Sequence, residues 1–60
     1  MISTILKAEL NKLAWELAYL SNYPLPESFD FFNTDNPRAK YFKDLAVRAF
    51  EVIQRVEIND

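Results

Sequence analysis

The chain of 60 residues contains no cysteine, no histidine and no glycine. Without cysteine it has no disulfide framework, no thiolate ligand for zinc or an iron–sulfur cluster, and no thiol nucleophile. Without histidine it lacks the commonest general base and metal ligand. Without glycine it cannot carry a P-loop or a dinucleotide-binding fingerprint, because both need glycine backbone freedom beside phosphate. We therefore expect no enzyme activity, no cofactor, no bound metal and no small-molecule substrate.

Long apolar runs and a basic surplus are missing as well. No apolar run approaches the ~20 residues that a transmembrane helix needs. The segment 1–12 lacks the basic region followed by a long apolar region that marks a signal peptide. The net charge is -2, from 7 basic and 9 acidic residues, whereas nucleic-acid-binding domains are usually basic. The sequence therefore predicts a single cytoplasmic domain with no membrane contact, and it does not favour nucleic acid as a partner.

The short length makes stability the next constraint. An unfolded chain of this size exposes roughly 10,000 Å² and a compact monomer roughly 4,000 Å². Burial of the apolar part of that difference contributes about 90 kcal/mol, and ordering the chain costs about the same. Because the two terms nearly cancel, we expect self-association, most simply as a homodimer.

Leucines spaced three or four residues apart dominate the first segment. This spacing predicts an amphipathic helix over residues 4–21, capped by Ser3 or Thr4. Pro24 and Pro26 are predicted to end the helix, because proline lacks an amide donor. The predicted core seam of this helix consists of Leu6, Leu10, Leu13, Leu17 and Leu20.

A second amphipathic helix is predicted over residues 37–58. Asn36 followed by Pro37 is a typical start, because asparagine caps helices and proline suits the first helical position. The predicted core seam here consists of Phe42, Leu45, Ala46, Ala49, Val52, Ile53 and Val56. The aromatic segment 22–36 between the helices should fold onto them, with one helical turn over residues 27–32. The predicted fold is an all-α helical hairpin that dimerises into a four-helix arrangement.

The first helix is apolar on two sides. Trp15 projects nearly opposite the leucine seam, with Ala8, Ala18 and Tyr19 nearby. A helix of this kind usually lies between two partners. Either the Phe29–Phe32 connector or a second chain could cover the Trp15 side, and we favour a second chain. These four residues are therefore the predicted self- or partner interface.

Three basic residues cluster at the start of the second helix: Arg38, Lys40 and Lys43. Cations beside a helix N-terminus could contact phosphate or an acidic protein. In a symmetric dimer, two such clusters could lie on one face and contact a nucleic-acid backbone. Acidic neighbours offset this charge, and Asp44–Arg48 and Glu51–Arg55 are spaced as favourable i,i+4 ion pairs.

Catalysis has little support. The serines have no histidine to activate them, and Glu9 and Glu16 share a helix stripe in a chain too small to enclose a cleft. The predicted function is a non-enzymatic protein–protein interaction module. The alternatives are a dimeric nucleic-acid-associated regulator and a structural subunit of a larger assembly.

The second helix also carries a resemblance. Residues 37–54 (PRAKYFKDLAVRAFEVIQ) resemble the terminal helix of many short phage and prophage proteins of unknown function, which share a tyrosine followed by alanine-rich helical spacing. The match covers under a third of the chain. It implies an origin in a mobile element and names no family.

Overall fold

Two helices form the protein. The structure, a computed structural model, describes residues 3–59, and the side chains of residues 3–55. Helix α1 spans Thr4–Leu20, helix α2 spans Pro37–Asn59, and they pack against each other. The predicted all-α helical hairpin is therefore confirmed. Neither helix, within the described residues, has an apolar stretch long enough to cross a membrane.

Both helix starts are capped as the sequence predicts. The Ser3 hydroxyl oxygen accepts a hydrogen bond from the Leu6 amide at 3.1 Å. Asn36 caps α2, since its Oδ1 accepts from the amides of Arg38 at 2.9 Å and Ala39 at 3.3 Å. These side chains satisfy amide groups that have no partner within the helix.

The end of α1 agrees with the prediction to within one residue, and a left-handed residue marks it. The helix ends at Leu20, before either proline, and Asn22 adopts a left-handed backbone with φ 61°. The Tyr23 amide donates to the Ala18 carbonyl at 2.9 Å, and the Asn22 amide donates to the Tyr19 carbonyl at 3.1 Å. This pair of bonds is a Schellman motif, in which asparagine takes the position that glycine usually fills.

Tyr23 and Asn36 join the two ends of the connector. The Asn36 side-chain amide donates to the Tyr23 hydroxyl at 2.9 Å, and the Tyr23 ring lies 5.9 Å from the Phe42 ring. The end of α1 therefore lies beside the start of α2, and the helices run antiparallel. The buried residues therefore follow in opposite order along the two helices: Leu10, Ala14 and Ala18 lie on α1, and Ala39, Phe42 and Ala46 lie on α2.

Alanine dominates the core. The buried residues are Leu10, Ala14, Ala18, Phe31, Ala39, Phe42 and Ala46. Small side chains let the two helix backbones approach closely, and the connector supplies the large group that fills the remaining space. That group is Phe31, whose side chain is 1% exposed.

The predicted core seams are only partly correct. Leu10, Phe42 and Ala46 are buried as predicted, whereas Leu20 is 78% exposed. The other predicted residues divide into two groups. Leu6, Leu13, Leu17 and Ala49 are half-buried, and Leu45, Val52 and Ile53 are exposed. The side chain of Val56 lies outside the described residues.

The connector explains this difference. At ~100° per residue, the buried row of each helix lies roughly 90° from the stripe of large aliphatic residues that the spacing emphasises. A prediction that considers only the two helices, without the connector, places the core between those stripes. In the structure the connector packs on one flank of the hairpin, and the buried rows move toward it, because they lie where all three segments meet.

The connector forms two turns instead of the predicted helical turn. The Phe29 amide donates to the Pro26 carbonyl at 2.9 Å, and the Asn33 amide donates to the Asp30 carbonyl at 3.3 Å. The Asp30 carboxylate also accepts from the Phe32 amide at 2.9 Å. Such local bonds offer the backbone an alternative to a helix.

Candidate interaction surfaces

Trp15 is held by its own chain. Its indole Nε1 donates a hydrogen bond to the Leu25 carbonyl at 2.7 Å, and the side chain is half-buried against the core. Its ring stacks on Tyr19 with centroids 5.5 Å apart and planes at 11°. The connector therefore covers part of the side that the sequence assigns to a second chain.

The four predicted interface residues do not form one accessible surface. Ala18 is fully buried opposite α2, because it lies on the same helical row as Leu10 and Ala14. Ala8 and Tyr19 are exposed, and Trp15 is half-buried. The remaining exposed part of this region is a Trp15–Tyr19 stack on the outer side of α1.

Asn11 holds the centre of the connector, a role that the sequence analysis missed. Its amide nitrogen donates to the Phe29 carbonyl at 2.8 Å, and its Oδ1 accepts from the Phe31 amide at 2.7 Å. One side chain thus satisfies the backbone on both sides of Asp30. The only signal in the sequence is an asparagine one helical turn before Trp15, on the same side of α1.

Aromatic contacts complete the packing of the connector. The rings of Phe29 and Phe31 meet edge to face with centroids 4.9 Å apart, and Lys7 Nζ lies 5.6 Å from the Phe32 ring centroid. Partly buried Val47 and Phe50 pack against the core from α2. The flank of the hairpin that carries the connector, here called the connector side, is therefore covered.

On the opposite flank, here called the open face, the side chains that the structure describes include no such cover. It is defined by six large apolar residues, three from each helix: Leu13, Leu17, Leu20, Tyr41, Leu45 and Val52. On a helical wheel the α1 stripe lies roughly 90° from the buried row, away from Asn11 and Trp15. The apolar stripe of α2 is displaced from the buried row of α2 by a similar angle and in the same direction of rotation, when each helix is viewed from its own N-terminus. Because the helices are antiparallel, equal rotations in the same sense bring both stripes to one side of the hairpin.

The predicted basic cluster is divided. The Arg38 guanidinium lies 5.4 Å from the Tyr23 ring centroid, and Lys43 Nζ lies 3.0 Å from an Asp44 carboxylate oxygen. Lys40 is exposed. On the wheel Arg38 projects toward the open face, whereas Lys40 and Lys43 project toward the connector side. The three cations do not converge on one anion site.

The carboxylates considered for catalysis lie at the surface. Glu9 and Glu16 are exposed, and Glu9 lies 3.6 Å from Lys12 Nζ. Glu16 and Glu27 border an open depression beside Trp15. Exposed ion pairs of this kind contribute little to stability.

No protein-family model, curated protein or solved structure matches the chain. Its function must therefore be inferred from its own surfaces.

Proposed function

We propose that the chain is a non-enzymatic protein-interaction module that self-associates through the open face, forming a homodimer of four helices. The observation that carries this proposal is the alignment of exposed and half-buried apolar side chains from both helices on one flank. The proposal keeps the class of function that the sequence predicts. It moves the contact surface from the Trp15 side to the opposite flank.

The character of the open face supports an interface. Its middle consists of leucines from both helices, and Tyr41 lies toward the end where α2 begins. Soluble monomers seldom expose contiguous apolar patches above a few hundred Å². Aromatic and aliphatic side chains of this kind form the buried centre of protein interfaces. A partner that covers this face would remove the apolar surface from water.

The surface area supports a partner of similar size. A compact monomer of 7.1 kDa should expose about 4,100 Å², whereas this chain exposes 4804 Å². The excess is about 700 Å² over the whole chain, so the hairpin leaves more surface in water than a compact monomer of its mass does. A second copy of the hairpin presents a matching face of the same size.

The alternatives have less support. A nucleic-acid-associated dimer would need the basic cluster on one face, and Arg38 and Lys43 are instead engaged on different sides. A structural subunit of a larger assembly could use the same open face. Such a subunit would differ from the proposed module when it is isolated, because it would fold only when its partner is present.

Two double variants with matched exposure test the proposal. Leu20→Lys/Tyr41→Lys places charge on the open face at side chains 78% and 57% exposed. The control, Ile5→Lys/Tyr19→Lys, places the same charge elsewhere on the molecule at side chains 80% and 61% exposed. The dimer dissociation constant of each is measured by light scattering across a dilution series.

We expect the open-face variant to be monomeric at concentrations where the wild type and the control are dimeric. All three proteins should keep the same helical circular dichroism, because the substituted side chains are largely exposed. Loss of the dimer in the control alone would contradict the proposal and assign the interface to the Tyr19 region. A folded wild-type monomer would refute self-association and leave the open face to another protein.

A further inference from the structure

The charges that border the open face point to one of two dimer arrangements. We infer that α1 of each copy packs against α2 of the other. This inference rests on the proposed function, because it assumes that a second copy covers the open face. It adds the orientation of the partner and the residues that select it.

The two margins of the open face carry opposite charges. On a helical wheel, Glu9 and Glu16 follow the outer edge of the leucine stripe of α1. Arg48 lies at the outer edge of the apolar stripe of α2, whereas Arg38 lies between that stripe and the buried row, with its guanidinium 5.4 Å from the Tyr23 ring centroid. All four side chains are exposed. The hairpin therefore has an acidic margin along α1 and a basic margin along α2.

A contact within α2 strengthens the basic margin. The sequence spacing predicts that Asp44 pairs with Arg48, which would neutralise that arginine. In the structure the Asp44 carboxylate lies 3.0 Å from Lys43 Nζ, toward the connector side. On α1, Lys12 Nζ lies 3.6 Å from a Glu9 carboxylate oxygen, and this exposed pair offsets part of the acidic charge at Glu9.

Two symmetric arrangements keep the helices nearly aligned, as four-helix bundles require. With the two-fold axis parallel to the helices, α1 lies over the partner's α2, and each acidic margin meets a basic one. With the axis perpendicular to the helices, α1 lies over the partner's α1, and like charges meet. Like charges across an interface are unfavourable, so charge selects the first arrangement.

The heights of these residues agree with the first arrangement. Leu10 is the buried α1 residue farthest from the connector and Ala46 is its counterpart on α2, so the antiparallel packing should bring Glu9 near the height of Arg48. A two-fold axis parallel to the helices preserves this height, so Glu9 can reach Arg48 of the second copy.

Charge reversal tests the arrangement. Glu9→Arg and Arg48→Glu should each weaken dimerisation by about threefold or more at low salt, and the double variant should recover most of the loss. Glu51→Arg makes the same charge change as Glu9→Arg on the connector side of α2, and it is expected to leave the dissociation constant within about twofold. All four proteins carry exposed substitutions, so their folding should be unchanged.

The outcomes separate this inference from the proposed function. A wild-type protein that stays monomeric removes the proposed function itself. The inferred orientation is overturned if Glu9→Arg strengthens the dimer, or if neither single charge reversal weakens it. Self-association itself stands in both cases.

Cross-linking gives a second measurement, and the absence of native cysteine makes it unambiguous. Glu9→Cys and Arg48→Cys chains are mixed and treated with a short bismaleimide. Cross-links should form mainly between the two different chains. Efficient cross-linking of the Glu9→Cys protein with itself would place α1 on α1 and overturn the inference.

Discussion

Replacing Asn11 by alanine should detach the middle of the connector from α1. The substitution removes the hydrogen bonds to the Phe29 carbonyl at 2.8 Å and from the Phe31 amide at 2.7 Å. Each such bond contributes about 1 kcal/mol net, and a buried group left without a partner costs more. The expected loss is therefore about 2 kcal/mol, rising to ~4 kcal/mol if no water replaces the amide.

This loss is large for so small a domain. A core of this size supplies only about 3–5 kcal/mol of net stability, so Asn11→Ala should lower the melting temperature by roughly 8–16 °C. The protein concentration must be held constant, because dimerisation also stabilises the folded state. Thermal unfolding followed by circular dichroism at 222 nm measures the shift.

Asn33→Ala is the matched control, since Asn33 is an exposed asparagine of the same connector. Its backbone amide donates to the Asp30 carbonyl, and alanine keeps that bond. The control should change stability by less than about 0.5 kcal/mol. Equal melting temperatures for the two variants would refute the role assigned to the Asn11 side chain.

Three further substitutions test the packing. Ala14→Leu should destabilise the fold by about 1–3 kcal/mol in urea unfolding, because it overfills the helix contact, whereas exposed Ala8→Leu should change little. Trp15→Phe should cost about 1 kcal/mol, since it leaves the Leu25 carbonyl without its donor at 2.7 Å. Asn22→Val should cost about 1–2 kcal/mol, because a branched side chain disfavours φ 61°, and Asn22→Gly should not destabilise. A stable Ala14→Leu protein, an unchanged Trp15→Phe protein or a tolerated Asn22→Val would each contradict the corresponding contact.

Local sequence signals predict the helices well. Ser3 and Asn36 mark the two starts, and the helix bounds agree with the prediction to within one residue. The signals that fail are those of the connector. Asn22 ends α1 through a left-handed backbone, and proline composition alone does not indicate which residue takes that conformation.

The core could not be located from helix periodicity alone. Periodicity selects the largest apolar stripe, which contains Leu20 and Leu45, and it gives little weight to alanine. The structure buries alanine rows, because the connector places Phe31 against both helices. That placement depends on Asn11, whose partners lie 18 and 20 residues away in the sequence. Long-range pairing of this kind has no local signature.

The same effect bears on the predicted interface at the Trp15 side. A helical wheel of α1 alone leaves the Trp15 side without a packing partner, because the wheel does not show which residues the connector covers. With Trp15 bonded to Leu25, the exposed apolar surface becomes the stripe that had been assigned to the core. A connector rich in aromatic residues can therefore change which helix faces of a short hairpin are buried and which are exposed.

The most direct test of the open-face dimer follows solution mass and Trp15 emission together through one dilution series. A dimer should have twice the 7.1 kDa mass of the chain and should dissociate on dilution. We predict that Trp15 emission stays constant during this dissociation, because its own connector covers the indole. A red shift that accompanies dissociation, or a constant mass of one chain at all concentrations, would contradict the open-face dimer.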